Sequence, residues 1–370
     1  MRIFIQALLP IGDTLFATPA IHALRQHYPD ARITALVYPT NSGILASNPD
    51  IDDLVYWPAR AQWLNPRVVR RLFSRLRRAR FDLAVEFSNY AGWLSRLSGI
   101  PRRTEMRLPS LWWIRPGAGR EWRRHHAVEH YADAVRRLGV PVLDMRLRIF
   151  PTEVEETRAE AWLESHGVEP DGLLVGIHPG GEGLWGRKKW SPAGFARVAG
   201  GLYDRLGARV VFMGGKDDAP LAAEIARRTH APVIDVTGQT SLGETAALIR
   251  RCTVFLGNDS SPLHIATAVG TPAVGIYGVT DPRSYGPWVP GGERGVDYDI
   301  VRSNHPCACR FPLAGGITLP TWIPILLCPA LEHITPAQVL EAVLAVAHAN
   351  LPARNNPAPL QSREPEPAAT

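Results

Sequence analysis

Strand-like and helix-like stretches alternate along this chain, and the alternation runs through twice. Residues 2–7, 32–37 and 81–87 are apolar runs of strand length. Between and after them, residues 13–27, 66–78 and 126–138 carry apolar side chains at helical spacing. In the first of these helices the spacing is set by Leu15, Ala17, Ile21 and Leu24, with Pro19 inside the first two turns. Repeated strand–helix units predict a parallel sheet covered by helices, because a parallel neighbour requires a crossover. The pattern restarts beyond Asp171, with strands at 173–178, 209–213, 233–235, 252–256 and 273–277. Helices are expected at 192–206, 221–228, 242–250 and 262–269. The expected fold class is α/β, with two doubly wound Rossmann-like domains at 1–152 and 171–335. A helix at 153–166 bridges them. Thr335 as N-cap and Pro336 at the first position mark a closing helix over 336–350, and the Pro- and Ala-rich stretch 351–370 reads as a disordered tail. Ligands of such sheets lie beyond the carboxyl ends of the strands, so the chemistry is expected in a cleft between the domains.

Composition narrows the partners. With 45% hydrophobic residues, a 370-residue chain buries a sizeable core. Residues 1–150 hold 23 Arg, no Lys and 12 acidic residues, a net +11, against −5 for the remainder. A basic first half suits an anionic partner: a phosphorylated glycan, a membrane surface or nucleic acid. A general preference for Arg, in a chain with three Lys, accounts for the same excess. Residues 3–9 are too short for the apolar core of a signal peptide. Residues 311–331 are uncharged and long enough to span a bilayer, but Pro312, Pro320, Pro324 and Pro329 break any continuous helix. An irregular, partly buried loop is expected there. Cys252 opens a buried strand and reads as core. Cys307, Cys309 and Cys328 near His305 lack the Cys-x2-Cys spacing of a zinc knuckle, and reduced thiols without a metal are expected. The triplets Asp50-Ile-Asp52 and Asp297-Tyr-Asp299 are of a kind that chance supplies in a chain this long.

Four motifs fall at strand ends. Gly12-Asp13 follows the first strand, where a tight turn would project Asp13 into the cleft; an N-cap carboxylate is the alternative. His178-Pro179-Gly180-Gly181 ends a strand and precedes Lys188-Lys189-Trp190. Gly180 and Gly181 admit close approach of backbone to phosphate, and Lys188 is either a phosphate ligand or a surface lysine at a helix start. Gly214-Gly215-Lys216-Asp217-Asp218 follows another strand. Asp259, Ser260 and Ser261 precede a small-residue helix whose first turn carries His264. Helix N-termini suit anions, although Asp259 or Ser260 alone is also an ordinary cap.

These motifs, in this order, resemble the heptosyltransferase family, glycosyltransferase family 9. The pattern Asp-Ser/Thr-Gly-x-x-His is met by Asp259, Ser260 and His264, with Ser261 where the family usually has Gly. The turn Gly278-Val279-Thr280-Asp281-Pro282, the opening Gly12-Asp13 and the run Ala17 to Ala20 fit as well. The resemblance covers residues 2–346 and implies a GT-B-like architecture, with acceptor-binding first and donor-binding second domain. It implies an inverting transfer of a sugar, heptose from ADP-heptose, onto a lipopolysaccharide core or related glycolipid. Asp13 would be the general base. Lys188, Gly180, Gly181, Asp218, Asp259, Ser260, Ser261 and His264 would bind the donor, with Asp218 at the nucleoside where the family usually has Glu. Arg120, Arg123, Arg124, His126 and His130 would bind the anionic acceptor; a solvated basic helix face is the plainer reading of the same residues. No metal or cofactor beyond the nucleotide sugar is implied. The expected setting is cytoplasmic, peripheral on the inner-membrane surface, with a monomer favoured and no nucleic-acid partner. A GT-B enzyme for another nucleotide sugar, or a sugar-nucleotide-binding protein without catalysis, remains the alternative.

Overall fold

The computed structural model describes residues 1–58, 65–88, 92–105, 125–169, 172–181, 188–278, 280–303 and 329–351. One sheet holds β1 (Arg2–Ala7), β2 (Arg32–Val37), β3 (Asp53–Tyr56), β4 (Leu83–Glu86) and β5 (Arg102–Glu105), in the order β3-β2-β1-β4-β5. The other holds β6 (Leu174–His178), β7 (Arg209–Phe212), β8 (Val233–Asp235), β9 (Val254–Asn258), β10 (Ala273–Tyr277) and β11 (Tyr298–Arg302), in the order β11-β10-β9-β6-β7-β8. Neighbouring strands pair in parallel throughout. Helices cover both faces, so the central strands are apolar along their length: β6, β9 and β10 are buried at every position.

Each sheet begins in its middle. The chain winds outward on one side, then returns to build the other, so the strand order reverses between β1 and β4 and again between β6 and β9. Loops leaving the two strands at a reversal diverge and open a crevice at their carboxyl ends. Asp13 follows β1; His178 ends β6 and Asn258 ends β9. Topology alone therefore carries these motifs to the two crevices.

Three strands escape the sequence pattern. β3, β5 and β11 are sheet edges of four or five residues, and β5 is Arg-Arg-Thr-Glu. Short, charged edges resist pairing with other chains and carry no apolar alternation to read. β9 also runs two residues later than expected, which puts Asn258 inside the strand. The single helix expected over 13–27 is two, Ile11–Phe16 and Thr18–His27. Pro19 has no N–H to offer the Leu15 carbonyl, and the Thr18 hydroxyl donates to that oxygen at 2.6 Å instead.

The domains touch along several lines. The helix Glu153–Ser165, started by a Thr152/Glu155 capping box, lies against the helix Leu242–Arg250. There Glu156 pairs with Arg250 and Arg251, and Arg158 with Glu244. Trp288 donates its indole N–H to the Met145 carbonyl at 2.8 Å. The helix Ile11–Phe16 packs on the helix Ser261–Val269, where Phe16 meets the His264 ring edge-on at 4.5 Å. Cys252 is core, as expected. Cys307, Cys309, Cys328, most of the 311–331 loop and residues 352–370 lie outside the described residues. Among the described residues no helix is long and apolar enough to cross a membrane.

Candidate active site

The crevice between β6 and β9 is organised by Asn258, which is fully buried. Its amide nitrogen donates to the Pro179 and Gly180 carbonyls at 2.7 and 2.8 Å, and its oxygen accepts from the Trp190 N–H at 3.2 Å. One side chain thus holds both ends of the loop that carries Lys188. Lys188 Nζ lies 2.5 Å from Asp259 Oδ2. His178 links two more motifs: Nδ1 meets Ser260 Oγ at 2.8 Å and Nε2 meets Asp218 Oδ2 at 3.3 Å. That His178 contact, helped by the Gly215 N–H and Lys189, keeps the Asp218 carboxyl below its ordinary value despite partial burial. A Cβ at Gly180 would run into the Asp218 carboxylate, so this glycine is required sterically. At Gly181 the nearest atoms to such a Cβ are 3.8 Å away, an ordinary contact, so packing within the chain does not demand glycine there.

Ser260 sits at the N-cap position of the helix Ser261–Val269 but makes no capping bond. Its hydroxyl goes to the Asn258 carbonyl and to His178. Pro262 has no N–H and the Leu263 N–H goes to the Ser260 carbonyl, so this end presents the Ser261 N–H and the positive end of the helix dipole. His264, four residues into the helix, is buried, and its Nδ1 has no hydrogen-bond partner among the described residues. Burial pushes its pKa down to about 4, with Asp259 pulling up and Lys188 pushing down, so the ring is neutral near pH 7.

Asp13 approaches this crevice from the other domain. It lies in the first turn of the helix Ile11–Phe16, whose N-cap position is Pro10, so Asp13 is not an N-cap. One oxygen, Oδ1, accepts from the Tyr131 hydroxyl at 2.8 Å. Removal from solvent raises the Asp13 carboxyl above its ordinary value. The Tyr131 bond and Lys188 pull it back, while Asp259 raises it further. Lys188 and Asp259 belong to the second domain, so the base candidate and the anion-binding turn share one electrostatic environment. Gly12 makes the approach possible: a Cβ there would stand 3.3 Å from His264 Cδ2 and 3.9 Å from Ser261. Tyr285 also feels Asp13 and Asp259, and burial with these two charges raises its hydroxyl pKa.

Of the expected acceptor cluster, the structure describes His126 and His130. Arg120, Arg123 and Arg124 lie outside the described residues. His130 is half-buried on the helix Ala127–Arg136. His126 is a buried inter-domain contact: Nδ1 accepts from the Val128 N–H at 3.3 Å, which leaves Nε2 to donate to the Gly286 carbonyl at 3.0 Å. Burial lowers its pKa to about 3, so it adds no positive charge for an anion. His126 does edge a cavity of about 560 Å³ lined also by Trp288, Arg283, Arg294 and Arg302. Tyr131 and Tyr285 were invisible to sequence reasoning, because a tyrosine at an apolar helical position looks like core. Among the described residues no three His, Cys, Asp or Glu side chains gather as metal ligands.

Known proteins share the fold and the sequence pattern of this chain. Residues 69–306 match Glycosyltransferase family 9 (heptosyltransferase). Lipopolysaccharide heptosyltransferase 3 of Escherichia coli K12 is 31% identical over 289 residues, covering 75% of this chain and 82% of that protein. Lipopolysaccharide heptosyltransferase 2 of the same strain is 26% identical over 76% of this chain and 84% of that one. A solved glycosyl transferase family 9 structure from Veillonella parvula superposes with a TM-score of 0.79 at 22% identity, over 94% of this chain and 97% of that one. The E. coli ADP-heptose lps heptosyltransferase II structure gives 0.71 at 22% identity, over 96% and 100%. Two parallel-sheet α/β domains closing on one crevice make this a GT-B-type fold. The chain belongs to glycosyltransferase family 9 and is a glycosyltransferase.

Proposed function

We propose that this enzyme is an inverting heptosyltransferase that moves heptose from ADP-heptose to a lipopolysaccharide-core acceptor at the cytoplasmic face of the inner membrane. The observation that carries the reading is Asp13, half-buried with a raised pKa and electrostatically coupled to the Lys188–Asp259 pair across the domain boundary. The names of the E. coli relatives, lipopolysaccharide heptosyltransferases and an ADP-heptose lps heptosyltransferase, support the same sugar and acceptor class.

Asp13 takes the acceptor hydroxyl proton as that oxygen bonds to the anomeric carbon. The bond from that carbon to the diphosphate breaks on the opposite face, and its electron pair leaves with the ADP. Attack opposite the leaving group inverts the anomeric centre. Lys188, the Ser261 N–H and the positive dipole end of the helix Ser261–Val269 receive the charge that builds on the diphosphate. Asp218 is assigned to the nucleoside and His264 Nδ1 to a donor oxygen. Gly180, Gly181, Ser260 and Ser261 form the wall of the donor crevice.

The test uses purified full-length protein. ADP and ADP-heptose should stabilise it thermally more than UDP or GDP sugars, and ADP-heptose should label heptose-deficient lipopolysaccharide. Asp13→Asn should abolish transfer without weakening ADP binding, because the charge removed is negative and acts on the Lys188–Asp259 pair that would meet the diphosphate. Selectivity for UDP or GDP would keep the fold and replace the sugar. Wild-type turnover in Asp13→Asn would remove Asp13 as the base.

A further inference from the structure

A carboxylate acting as a base uses one oxygen, and its second oxygen must be satisfied by something else when water is excluded. In this chain that partner is Tyr131, whose hydroxyl donates to Asp13 Oδ1 at 2.8 Å. Tyr131 is 3% exposed, and its ring is packed edge-on against Phe87 at 5.6 Å and 83°. Phe87 follows β4 directly, so the hydroxyl is placed from the carboxyl edge of the first sheet, at the crevice beside β1. We propose that Tyr131 is a positioning residue for the transfer step: it holds Oδ1 so that Oδ2 is the oxygen presented to the acceptor hydroxyl. This deepens, and rests on, the reading of Asp13 as the base.

The surroundings support a donor role over any proton transfer by Tyr131 itself. Burial and the nearby Asp13 charge raise its hydroxyl pKa well above the ordinary value, so it stays protonated across the working range. Among the described residues, the titratable groups that act on Asp13 are Tyr131 from the helix Ala127–Arg136, Lys188 from the loop after β6 and Asp259 from the turn after β9. Tyr285, from the helix Pro282–Tyr285, feels the Asp13 charge in turn, and His264 packs on the neighbouring Gly12. Of these, Tyr131 alone donates a hydrogen bond to the Asp13 carboxylate. It lowers the cost of ionising a desolvated carboxyl and fixes the carboxyl plane at once.

Tyr131→Phe keeps the ring against Phe87 and removes only the hydroxyl. In full-length protein, the acid limb of the kcat/KM profile for ADP-heptose transfer should move upward by about one pH unit, the effect of losing one hydrogen bond to a carboxylate. At neutral pH kcat should fall about tenfold, from the misaligned base. The KM for the donor should stay unchanged, because Lys188, Asp218 and Asp259 are untouched. A second readout needs no turnover: the carbon-13 carboxyl resonance of Asp13, assigned by its loss in Asp13→Asn, should titrate at higher pH in Tyr131→Phe. A slower variant with an unmoved acid limb and an unmoved titration would make Tyr131 a packing residue and overturn the proposal. If wild-type protein transfers no heptose, the proposed substrates fail, and the titration still decides whether Tyr131 governs Asp13.

Discussion

Asn258→Ala tests whether the loop that carries Lys188 is held by one buried amide. Replacement removes three hydrogen bonds and leaves the Pro179 and Gly180 carbonyls and the Trp190 N–H without that partner. The side chain is fully buried, so water does not replace it freely. At about 1 kcal/mol net per bond, the loss is about 3 kcal/mol. That corresponds to roughly 6 °C in a domain of this size, at about 2 °C per kcal/mol. Both anchored segments flank Lys188, so ADP affinity should fall about tenfold or more as the lysine loses its fixed place. Urea unfolding followed by tryptophan fluorescence reads the first effect, and calorimetric titration with ADP reads the second. Asn258→Asp is the discriminating control. It keeps an acceptor for the Trp190 N–H but turns a carboxylate oxygen toward two carbonyl oxygens, so it should be at least as damaging as alanine. An alanine variant that unfolds within about 0.5 kcal/mol of wild type would refute the account, since surface-like substitutions fall in that range. Lost stability with unchanged ADP affinity would break the link between this anchor and the proposed phosphate site.

Two further outcomes follow from the same geometry. Gly180→Ala drives a methyl group into the Asp218 carboxylate, so it should cost about 1–3 kcal/mol and weaken nucleotide binding; normal ADP affinity in a folded variant would show that the loop moves aside. Acid should destabilise the protein, because His126 and His264 titrate near 6.5 when unfolded but only at about 3 and about 4 when folded. Between those values the unfolded chain binds more protons, so stability falls as pH falls, by about 2 kcal/mol per histidine between pH 6.5 and 5. Asp13, with its raised pKa, works in the opposite direction. Urea midpoints at pH 7.5 and 5.0 should show the loss, and His126→Asn should shrink it by about half; equal slopes in the two proteins would contradict the buried neutral ring.

Much of this protein is legible because local chemistry decides it. β8, β10 and the helix Leu242–Arg250 fall at the expected residues, since apolar period and flanking caps act within a few residues of one another. The split at Ala17 was written in Pro19, but its position depended on Thr18 taking the Leu15 carbonyl. The edge strands β3, β5 and β11 were not legible, because each is short and carries charged residues in place of an apolar run, whereas the edge strand β8 holds Val233 and Ile234. The donor motifs were readable as separate turns. Their meeting was not: His178, Lys188, Asp218 and Asp259 converge because the strand order reverses between β6 and β9. Asp13 reads from sequence as a candidate base or a cap; the fold excludes the cap, and the Tyr131 bond with Lys188 and Asp259 nearby supports the proposed base. His126 looked like part of a basic face and became a neutral bridge to Gly286, because the second domain covers it. The sequence by itself determined the elements, the turns and the family pattern, which depend on neighbours along the chain. Protonation, orientation and the pairing of the two half-sites were decided by tertiary structure, because desolvation and hydrogen-bond partners come from residues far apart in sequence.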